Sequence, residues 1–136
     1  MSQWTVDFYK PSEGDSPTYE WFLKQDAKVR AKLAQILDLL QEQGTLVGMP
    51  YVRPITDSEK LYEIRVEQNT NIYRVLYFAY TGRCFILLHG FQKKTKKTPK
   101  GEIKLAEDRL KDFLNQEKRR HSETKKNNST SKGEKK

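Results

Sequence analysis

Two arginines and a histidine, followed by a lysine-rich segment, are the residues of this sequence best suited to chemistry. Arg65 and Arg74 lie in neighbouring strand-like segments, and His89 lies in a third such segment, shortly before Phe91. A cluster of lysines follows: Lys93, Lys94, Lys96 and Lys97. Arginine binds phosphate bidentately, histidine can move a proton near neutral pH, and an aromatic ring can stack on a base. Together these side chains suit a phosphodiester, either for attack by an RNA 2′-hydroxyl on its own phosphate or for binding without catalysis.

Three strand-like segments, at residues 61–67, 72–80 and 84–91, have to bring these side chains together. The first alternates apolar and charged residues, and the other two are rich in β-branched and aromatic residues. A hairpin turn centred between positions 69 and 70 places Arg65 opposite Arg74. A second turn, centred between positions 81 and 82, places Arg74 opposite His89. The predicted register therefore lines up these three residues on one face of the sheet.

The row of basic side chains predicts an open, positive cleft. Like charges directly opposite each other destabilise a sheet, so a sheet that keeps such a row is predicted to use it on an anion. The same register gives this face an apolar end, which we predict to pack under a helix: Leu61, Leu76, Phe78, Phe85 and Leu87. Two alternatives stay open. The basic residues could be solvated strand-end side chains, and a one-residue bulge at Gly82 would send His89 to the opposite face.

The N-terminal half of the sequence predicts one strand and a pair of helices. Residues 3–9 alternate and place three apolar side chains on one face: Trp4, Val6 and Phe8. Ser16-Pro17 supplies an N-cap followed by proline at the first helical position, which predicts the start of a helix. Asp26 can cap a second helix, which carries one apolar stripe and ends at Gly44. These elements precede the three strands along the chain.

The rest of the chain predicts a connector, a third helix and a tail. Residues 45–60 contain a glycine and two prolines and are predicted to be irregular. Thr98-Pro99 repeats the cap-plus-proline signal, and the helix that follows has one apolar face: Ile103, Ala106, Leu110, Phe113 and Leu114. Beyond about residue 119 the apolar pattern stops, so residues 120–136 are predicted to be a basic, disordered tail.

The predicted fold is α+β. A small antiparallel sheet packs with the N-terminal helix pair and the C-terminal helix, in the order β-α-α-β-β-β-α. The chain of 136 residues is short enough for a single domain, which we place at residues 1–119. Its formal net charge is +8, and about half of that charge lies in the tail. A basic domain of this kind points to phosphate-bearing partners.

Several classes of protein are excluded by what the sequence lacks. It contains no P-loop, no paired-cysteine metal site and no nucleophile elbow, and its two histidines are far apart, so neither a metal nor another cofactor is predicted. No apolar run approaches the roughly 20 residues that a membrane span needs. The N-terminus has no secretory signal pattern, and the single Cys84 cannot form an internal disulfide. We therefore expect a cytoplasmic protein with no membrane partner.

The order of elements and three motifs carry a resemblance to a known family. The segments LYEIRV, IYRVLYF and LLHGFQKKTKKTPKGEI resemble the RelE/ParE toxin superfamily, and more closely its phage-derived Gp49-like, HigB-type branch. The resemblance covers roughly residues 3–118. It implies the toxin of a type II toxin–antitoxin pair, neutralised by a helix-turn-helix, HigA-like antitoxin encoded beside it. Such toxins commonly cut mRNA in the ribosomal A site, so the ribosome and mRNA are expected partners.

The resemblance also implies roles for individual residues. Arg65 and Arg74 are expected to hold the phosphate and the transition-state charge, and His89 to act as acid or base. Phe91 and the lysine cluster are expected to bind the nucleic acid. As a cation in an open cleft, Arg74 should be replaceable without loss of stability. Two alternatives stay open: a non-catalytic, ParE-like toxin that inhibits DNA gyrase, and a basic RNA-binding domain without activity.

Overall fold

The computed structural model describes the backbone of residues 4–134 and the side chains of residues 4–122. It contains five strands and three α-helices, in the order β1 (Thr5–Phe8), α1 (Pro17–Lys24), α2 (Ala27–Gln43), β2 (Val52–Pro54), β3 (Tyr62–Gln68), β4 (Asn71–Tyr80), β5 (Cys84–Gln92) and α3 (Lys100–Glu134). A short 3-10 helix, Gly44–Leu46, follows α2. The predicted α+β class, with an N-terminal helix pair and a C-terminal helix, is confirmed.

The five strands form one mixed sheet in the order β1-β5-β4-β3-β2. The predicted antiparallel pairing of β3, β4 and β5 is confirmed, and β2 adds to it in the same way. Strand β1 runs parallel to β5, so the sheet as a whole is mixed. The parallel pairing is possible because the chain between β1 and β5 runs through two helices and three strands rather than through a hairpin. The predicted irregular connector also contains β2, an edge strand short enough to end on Pro54.

Helices α1 and α2 begin at the caps that the sequence predicted, and α2 ends at the predicted glycine. The Ser16 hydroxyl accepts a hydrogen bond from the backbone N–H of Tyr19 at 3.1 Å. The Asp26 carboxylate accepts one from the backbone N–H of Val29 at 3.0 Å. Helix α2 is followed by Gly44, and its apolar stripe is buried: Val29, Leu33, Ile36 and Leu40. Capping and periodicity therefore place both helices correctly.

The sheet separates two apolar layers. One face packs under α1 and α2, and its buried side chains include Ile64, Val75, Tyr77, Phe85 and Leu87. The other face packs under α3, and its buried side chains include Leu61, Leu76, Phe78, Leu88 and Phe91. Gly90 lets α1 approach the first face closely, because a Cβ there would lie 2.2 Å from the ring of Trp21.

The register of the first hairpin is confirmed, whereas that of the second is wrong. Arg65 lies opposite Arg74, as predicted. In the second hairpin Arg74 lies opposite Phe91 instead of His89, because the loop has three residues, 81–83, instead of two and β5 contains a one-residue bulge. Gly82 and Arg83 both have positive φ, at 78° and 60°, which is how this longer loop closes. Phe85 and Leu87 consequently face α1 and α2, opposite to the prediction.

A β-bulge in β5 returns His89 to the predicted face. Leu76 lies opposite His89 and Tyr77 opposite Leu87, so Leu88 is the extra residue. The longer loop shifts the register by one residue and the bulge shifts it by one more, so the two together preserve the facing of every residue beyond the bulge. Arg65, Arg74 and His89 therefore share one face, as predicted. They do not form the predicted row, because His89 does not lie opposite Arg74.

Helix α3 extends beyond its apolar stripe. Its buried side chains include Ile103, Ala106 and Leu110, and Phe113 and Leu114 pack beside them. Residues 135–136 and the side chains of residues 123–134 lie outside what the structure describes, so the predicted disordered tail at residues 120–136 stays a prediction. Among the residues that the structure describes, no helix is both long enough and apolar enough to cross a membrane.

Candidate functional site

A buried carboxylate surrounded by three arginines lies where the sequence predicted an open cleft. We call this group the arginine cluster: Glu63, Arg53, Arg65 and Arg74. Oε1 of Glu63 lies 3.7 Å from Nη1 of Arg74, and both side chains are 0% exposed. Oε2 of Glu63 lies 3.5 Å from Nε of Arg65 and 4.0 Å from Nε of Arg53. Arg65 and Arg53 reach solvent, with 13% and 34% of their side chains exposed.

The arginine cluster also holds the loop at residues 93–98, which we call the basic loop. The Thr98 hydroxyl donates to Oε1 of Glu63 at 2.5 Å and accepts from Nη1 of Arg74 at 3.4 Å. Arg74 donates to the Thr95 carbonyl as well. Arg65 donates to the carbonyl of Lys96 at 2.9 Å. Strands β3 and β4 are therefore connected to the basic loop through side chains that point away from α1 and α2.

Two predictions are corrected by this arrangement. Thr98 does not cap α3, because its hydroxyl is bound to Glu63 and the carbonyl of Pro99 accepts the first backbone hydrogen bonds of the helix. Arg74 does not line an open cleft, because the basic loop covers it. Burial lowers the pKa of Arg74, and the negative charge of Glu63 partly opposes that effect. Because Arg74 is buried in an ion pair, we expect its replacement to lower the stability of the fold, contrary to the expectation from the sequence.

A small cavity opens beside the arginine cluster, and we call it the basic pocket. Its volume is about 190 Å³, and it is lined by Arg53, Pro54, Ile55, Thr56, Asp57, Arg65, Lys96, Lys97, Thr98 and Ile103. Four of these side chains are cationic, and Asp57 is the one carboxylate among them. Asp57 lies 3.7 Å from Nζ of Lys97, in an ion pair exposed to solvent. The pocket therefore keeps an excess of positive charge, which suits an anion of phosphate size.

His89 belongs to a second group on the same face, which we call the histidine cluster: His89, Glu102 and Arg109. Nε2 of His89 lies 3.1 Å from Oε1 of Glu102, and Nδ1 lies 3.5 Å from Nη1 of Arg109. Because an arginine only donates hydrogen bonds, Nδ1 is the acceptor and Nε2 carries the proton. Burial lowers the pKa of His89, although Glu102 partly opposes this shift. Both ring nitrogens thus contact side chains of α3.

The two clusters do not form one site. Leu76, which is fully buried, lies opposite Glu63 on one side and opposite His89 on the other. The residues lining the basic pocket include Arg65 but neither Arg74 nor His89. The structure therefore places the three predicted catalytic residues on a common face without gathering them around a common cavity.

The predicted nucleic-acid-binding residues are also divided, between the exposed basic loop and the buried side of the histidine cluster. The four lysines are exposed along the basic loop, and two of them line the basic pocket: Lys93, Lys94, Lys96 and Lys97. Phe91 is only 6% exposed, and its ring stacks on His89 with 5.1 Å between ring centroids. A base could stack on Phe91 only if the ring were uncovered first.

Sequence reasoning left three residues of the site unassigned. Glu63 lies two residues before Arg65, so the period of two in a strand already places both on one face. Arg53 and Thr98 carry no such signal, since their positions depend on how the connector and the basic loop fold back. Among the residues whose side chains are described, no group of three or more His, Cys, Asp or Glu is placed to hold a metal ion.

The fold and a match to a protein family together define the class of protein. A mixed sheet between an N-terminal helix pair and a C-terminal helix is broadly the fold of RelE-like toxins. The sequence matches the family described as "Phage derived protein Gp49-like" over residues 20–111, which is about two thirds of the chain, so the chain belongs to that family. No curated protein matches the sequence.

Membership in the Gp49-like family confirms the resemblance carried by the motifs. This is a RelE/ParE-like toxin family, related to toxins that are endoribonucleases. The family therefore indicates a toxin of the toxin–antitoxin kind, and it implies an antitoxin partner. The matched range contains the arginine cluster, the basic loop and the histidine cluster.

Proposed function

We propose that this protein is the toxin of a type II toxin–antitoxin pair and inhibits translation by cleaving mRNA on the ribosome. The observation that carries the proposal is the convergence of four cations on one small pocket: Arg53, Arg65, Lys96 and Lys97. A cationic pocket of this size suits a backbone phosphate of RNA. Ribosomes and mRNA place the action in the cytoplasm, and a HigA-like, helix-turn-helix antitoxin would neutralise it.

The proposed reaction is an internal attack within the RNA chain. The 2′-oxygen of one ribose bonds to the neighbouring phosphorus as the bond from phosphorus to the 5′-oxygen breaks, and a proton passes from the former oxygen to the latter. Negative charge builds on the non-bridging oxygens during this step, where arginine donors stabilise it. Arg65 and Arg53 are placed for this role, because they combine a fixed position beside Glu63 with access to the pocket.

The remaining residues support the reaction in different ways. In this proposal Arg74 does not touch the phosphate, since it is buried against Glu63 and Thr95. Its role is to hold the basic loop in place through its hydrogen bond to the Thr95 carbonyl. The exposed lysines contact the neighbouring phosphates of the strand. His89 would have to leave Glu102 or Arg109 before it could move a proton. Dependence on the ribosome fits this arrangement, because the ribosome would hold the mRNA in the reactive geometry.

The proposal is tested by expression without the antitoxin and by cleavage on purified ribosomes. We expect growth arrest, depletion of translated mRNA, and cuts in a ribosome-bound message that are mapped by primer extension. Replacing Lys96 and Lys97 together with alanine should weaken all three effects, whereas Lys28→Ala should not. Lys28 is a suitable control because it is exposed on α2, on the other side of the sheet. Growth arrest with intact mRNA contradicts the proposal.

A second candidate is a toxin that binds its target without cutting it. The observation in its favour is that Arg74 is buried and both ring nitrogens of His89 are engaged within the protein. The same expression experiment separates the possibilities. Loss of DNA supercoiling with intact mRNA would indicate a ParE-like inhibitor of gyrase. Tight association with RNA that stays intact would indicate an RNA-binding protein without activity.

A further inference from the structure

Glu63 contacts each of the three arginines of the arginine cluster. Its two oxygens lie within 4.0 Å of Arg53, Arg65 and Arg74, and its Oε1 accepts the hydrogen bond from Thr98. An isolated buried carboxylate is costly, and only paired cations and hydrogen bonds make it tolerable. Three arginines exceed what one carboxylate neutralises, so the cluster keeps a net positive charge that faces the basic pocket.

The two oxygens of this carboxylate have different partners. Oε1 is bound by Thr98 and Arg74, which are both buried, and these contacts fix the carboxylate in place. Oε2 lies 3.5 Å from Nε of Arg65 and 4.0 Å from Nε of Arg53, and it has no hydrogen bond among the described residues. The negative charge on Oε2 therefore attracts the Nε atoms of Arg65 and Arg53, and this attraction orients both arginines at the pocket.

Contacts at the inner nitrogens leave the outer ends of these arginines available. Arginine carries five N–H donors, and Nε is the one nearest the main chain. Arg65 uses an outer nitrogen on the carbonyl of Lys96 at 2.9 Å, which also ties it to the basic loop. The guanidinium of Arg53 reaches solvent at the same pocket. A phosphate in the pocket could thus meet arginines whose orientation is fixed before it arrives, which reduces the entropic cost of binding.

We propose that Glu63 is a positioning residue, whose buried carboxylate holds Arg53 and Arg65 at the wall of the basic pocket ready for an RNA phosphate. The inference rests on the proposed function for the identity of its ligand, a phosphodiester of single-stranded RNA. In this role Glu63, an acidic residue, determines the geometry of the pocket without touching the RNA. The consequence is that removing a negative charge should weaken binding to a negatively charged ligand.

The test compares two identical substitutions on β3, Glu63→Gln and Glu67→Gln. Each raises the net charge by one, but the Glu67 side chain is exposed near the end of the strand. Net charge alone would make both variants bind RNA more tightly and by similar factors. Positioning by Glu63 makes Glu63→Gln bind about tenfold more weakly, because a charge-assisted contact is worth about that factor. Glu67→Gln should bind as tightly as the wild type or slightly more tightly.

The measurement is fluorescence anisotropy of a labelled, short single-stranded RNA, titrated with each full-length protein at several salt concentrations. When the pocket arginines no longer neutralise a phosphate, the slope of log affinity against log salt should also fall, by about 0.7 for each such phosphate. Thermal melts show that the titrated protein is folded. A purely structural role for Glu63 would lower the melting temperature and leave the affinity and salt slope of the folded fraction unchanged.

Thr98→Val serves as a second variant, since Glu63→Gln removes the counter-ion of a buried arginine and could prevent folding. This change keeps all charges and nearly the same shape, but it removes the hydroxyl that donates to Glu63. Weaker RNA binding by folded Thr98→Val, at an unchanged net charge, supports positioning. Unchanged binding by Thr98→Val together with unfolding of Glu63→Gln overturns the inference.

The proposed function fails separately from this inference. A wild-type protein that binds RNA but leaves ribosome-bound mRNA intact contradicts cleavage, while weaker binding by Glu63→Gln still supports positioning. Conversely, a folded Glu63→Gln protein that binds RNA at least as tightly as Glu67→Gln overturns positioning, even when the wild type cleaves mRNA. Absence of RNA binding by the wild type overturns both.

Discussion

The arginine cluster and the histidine cluster use similar residues on the same sheet face, yet only one of them is open. Each pairs a carboxylate with cationic or titratable side chains and connects the sheet to the segment that begins or forms α3. In the arginine cluster the carboxylate is at the centre, and two of the three arginines extend outward into the basic pocket. In the histidine cluster the ring lies between Glu102 and Arg109, and all its polar atoms face the protein.

The comparison shows that the arrangement of charges decides which cluster can meet a ligand. A central carboxylate turns the inner nitrogens of its arginines inward and leaves their outer donors available. A central histidine uses both of its nitrogens on its neighbours, so nothing remains for a ligand. The proposed function therefore puts phosphate binding at the arginine cluster and gives a mainly structural role to the histidine cluster, which joins β5 to α3. Substitutions that separate stability from activity test this division.

The largest effect is expected from Arg74→Gln, which should lower the free energy of unfolding by about 3–5 kcal/mol. Removing Arg74 breaks a fully buried ion pair, a change that costs about that much, and it leaves Glu63 with two partly exposed arginines and Thr98 as its partners. Arg74 is fully buried beside Glu63 and also holds the Thr95 carbonyl of the basic loop. Urea unfolding at neutral pH measures the loss. Arg53→Gln is the matched control, because its more exposed side chain should cost much less. An Arg74→Gln protein as stable as the wild type would show that the buried pair does not stabilise the fold.

The next effect separates the two clusters by activity. Arg65→Gln should reduce cleavage of ribosome-bound mRNA by roughly 10²–10³-fold, the cost of removing one donor to transition-state charge. His89→Gln should leave cleavage close to that of the wild type, since His89 lies outside the basic pocket. Primer extension on programmed ribosomes measures both rates, and thermal melts confirm that both variants are folded. Strong loss of cleavage in folded His89→Gln would restore His89 to the catalytic set and remove the distinction between the clusters.

Local signals in the sequence were sufficient for the helices and for the first hairpin. Caps at Ser16 and Asp26 fixed the helix starts, because their side chains accept hydrogen bonds from backbone N–H groups only three residues away. The turn between β3 and β4 placed Arg65 opposite Arg74 for a similar reason. Such features depend on neighbours along the chain, and a single sequence contains them.

Features that depend on packing between distant parts of the chain could not be predicted from these local signals. The loop at residues 81–83 could close with two or three residues, and packing of Phe85 against Trp4 accompanies the longer choice, with 4.6 Å between ring centroids. The bulge at Leu88 likewise has no local signal. Burial of Arg74 followed from the basic loop folding over it, which its sequence of lysines and threonines did not predict. By contrast, Glu63 could have been included from its spacing to Arg65 alone.

A smaller effect concerns the pH dependence of the histidine cluster. Burial lowers the pKa of His89 below its ordinary value of about 6.5, so the unfolded chain binds a proton at this residue more readily than the folded protein. The contribution of His89 to stability is therefore fully present above the unfolded pKa and is lost as the pH falls below it. Stability of the wild type minus that of His89→Gln, measured by urea unfolding between about pH 7.5 and 5, should decrease toward acid. A difference that rises toward acid would mean that Glu102 holds His89 in its charged form.

The smallest effect is expected from the C-terminal segment, and it distinguishes general charge from the basic pocket. Deleting residues 120–136 removes six Lys or Arg and two Glu, but the apolar stripe of α3 ends earlier, at Leu114. The remaining helix stays attached to β1, because the hydroxyl of Tyr9, which follows that strand, donates to Asp112 at 2.5 Å. The melting temperature should therefore change little. Affinity for single-stranded RNA should fall several-fold at low salt and hardly at all at high salt, since screening already removes this non-specific attraction there. Anisotropy of the full-length and truncated proteins across salt concentrations measures this difference in affinity. Arg65→Gln is the contrasting variant, because its cleavage defect should persist at every salt concentration. Loss of cooperative unfolding on truncation would show instead that residues 120–136 belong to the folded domain.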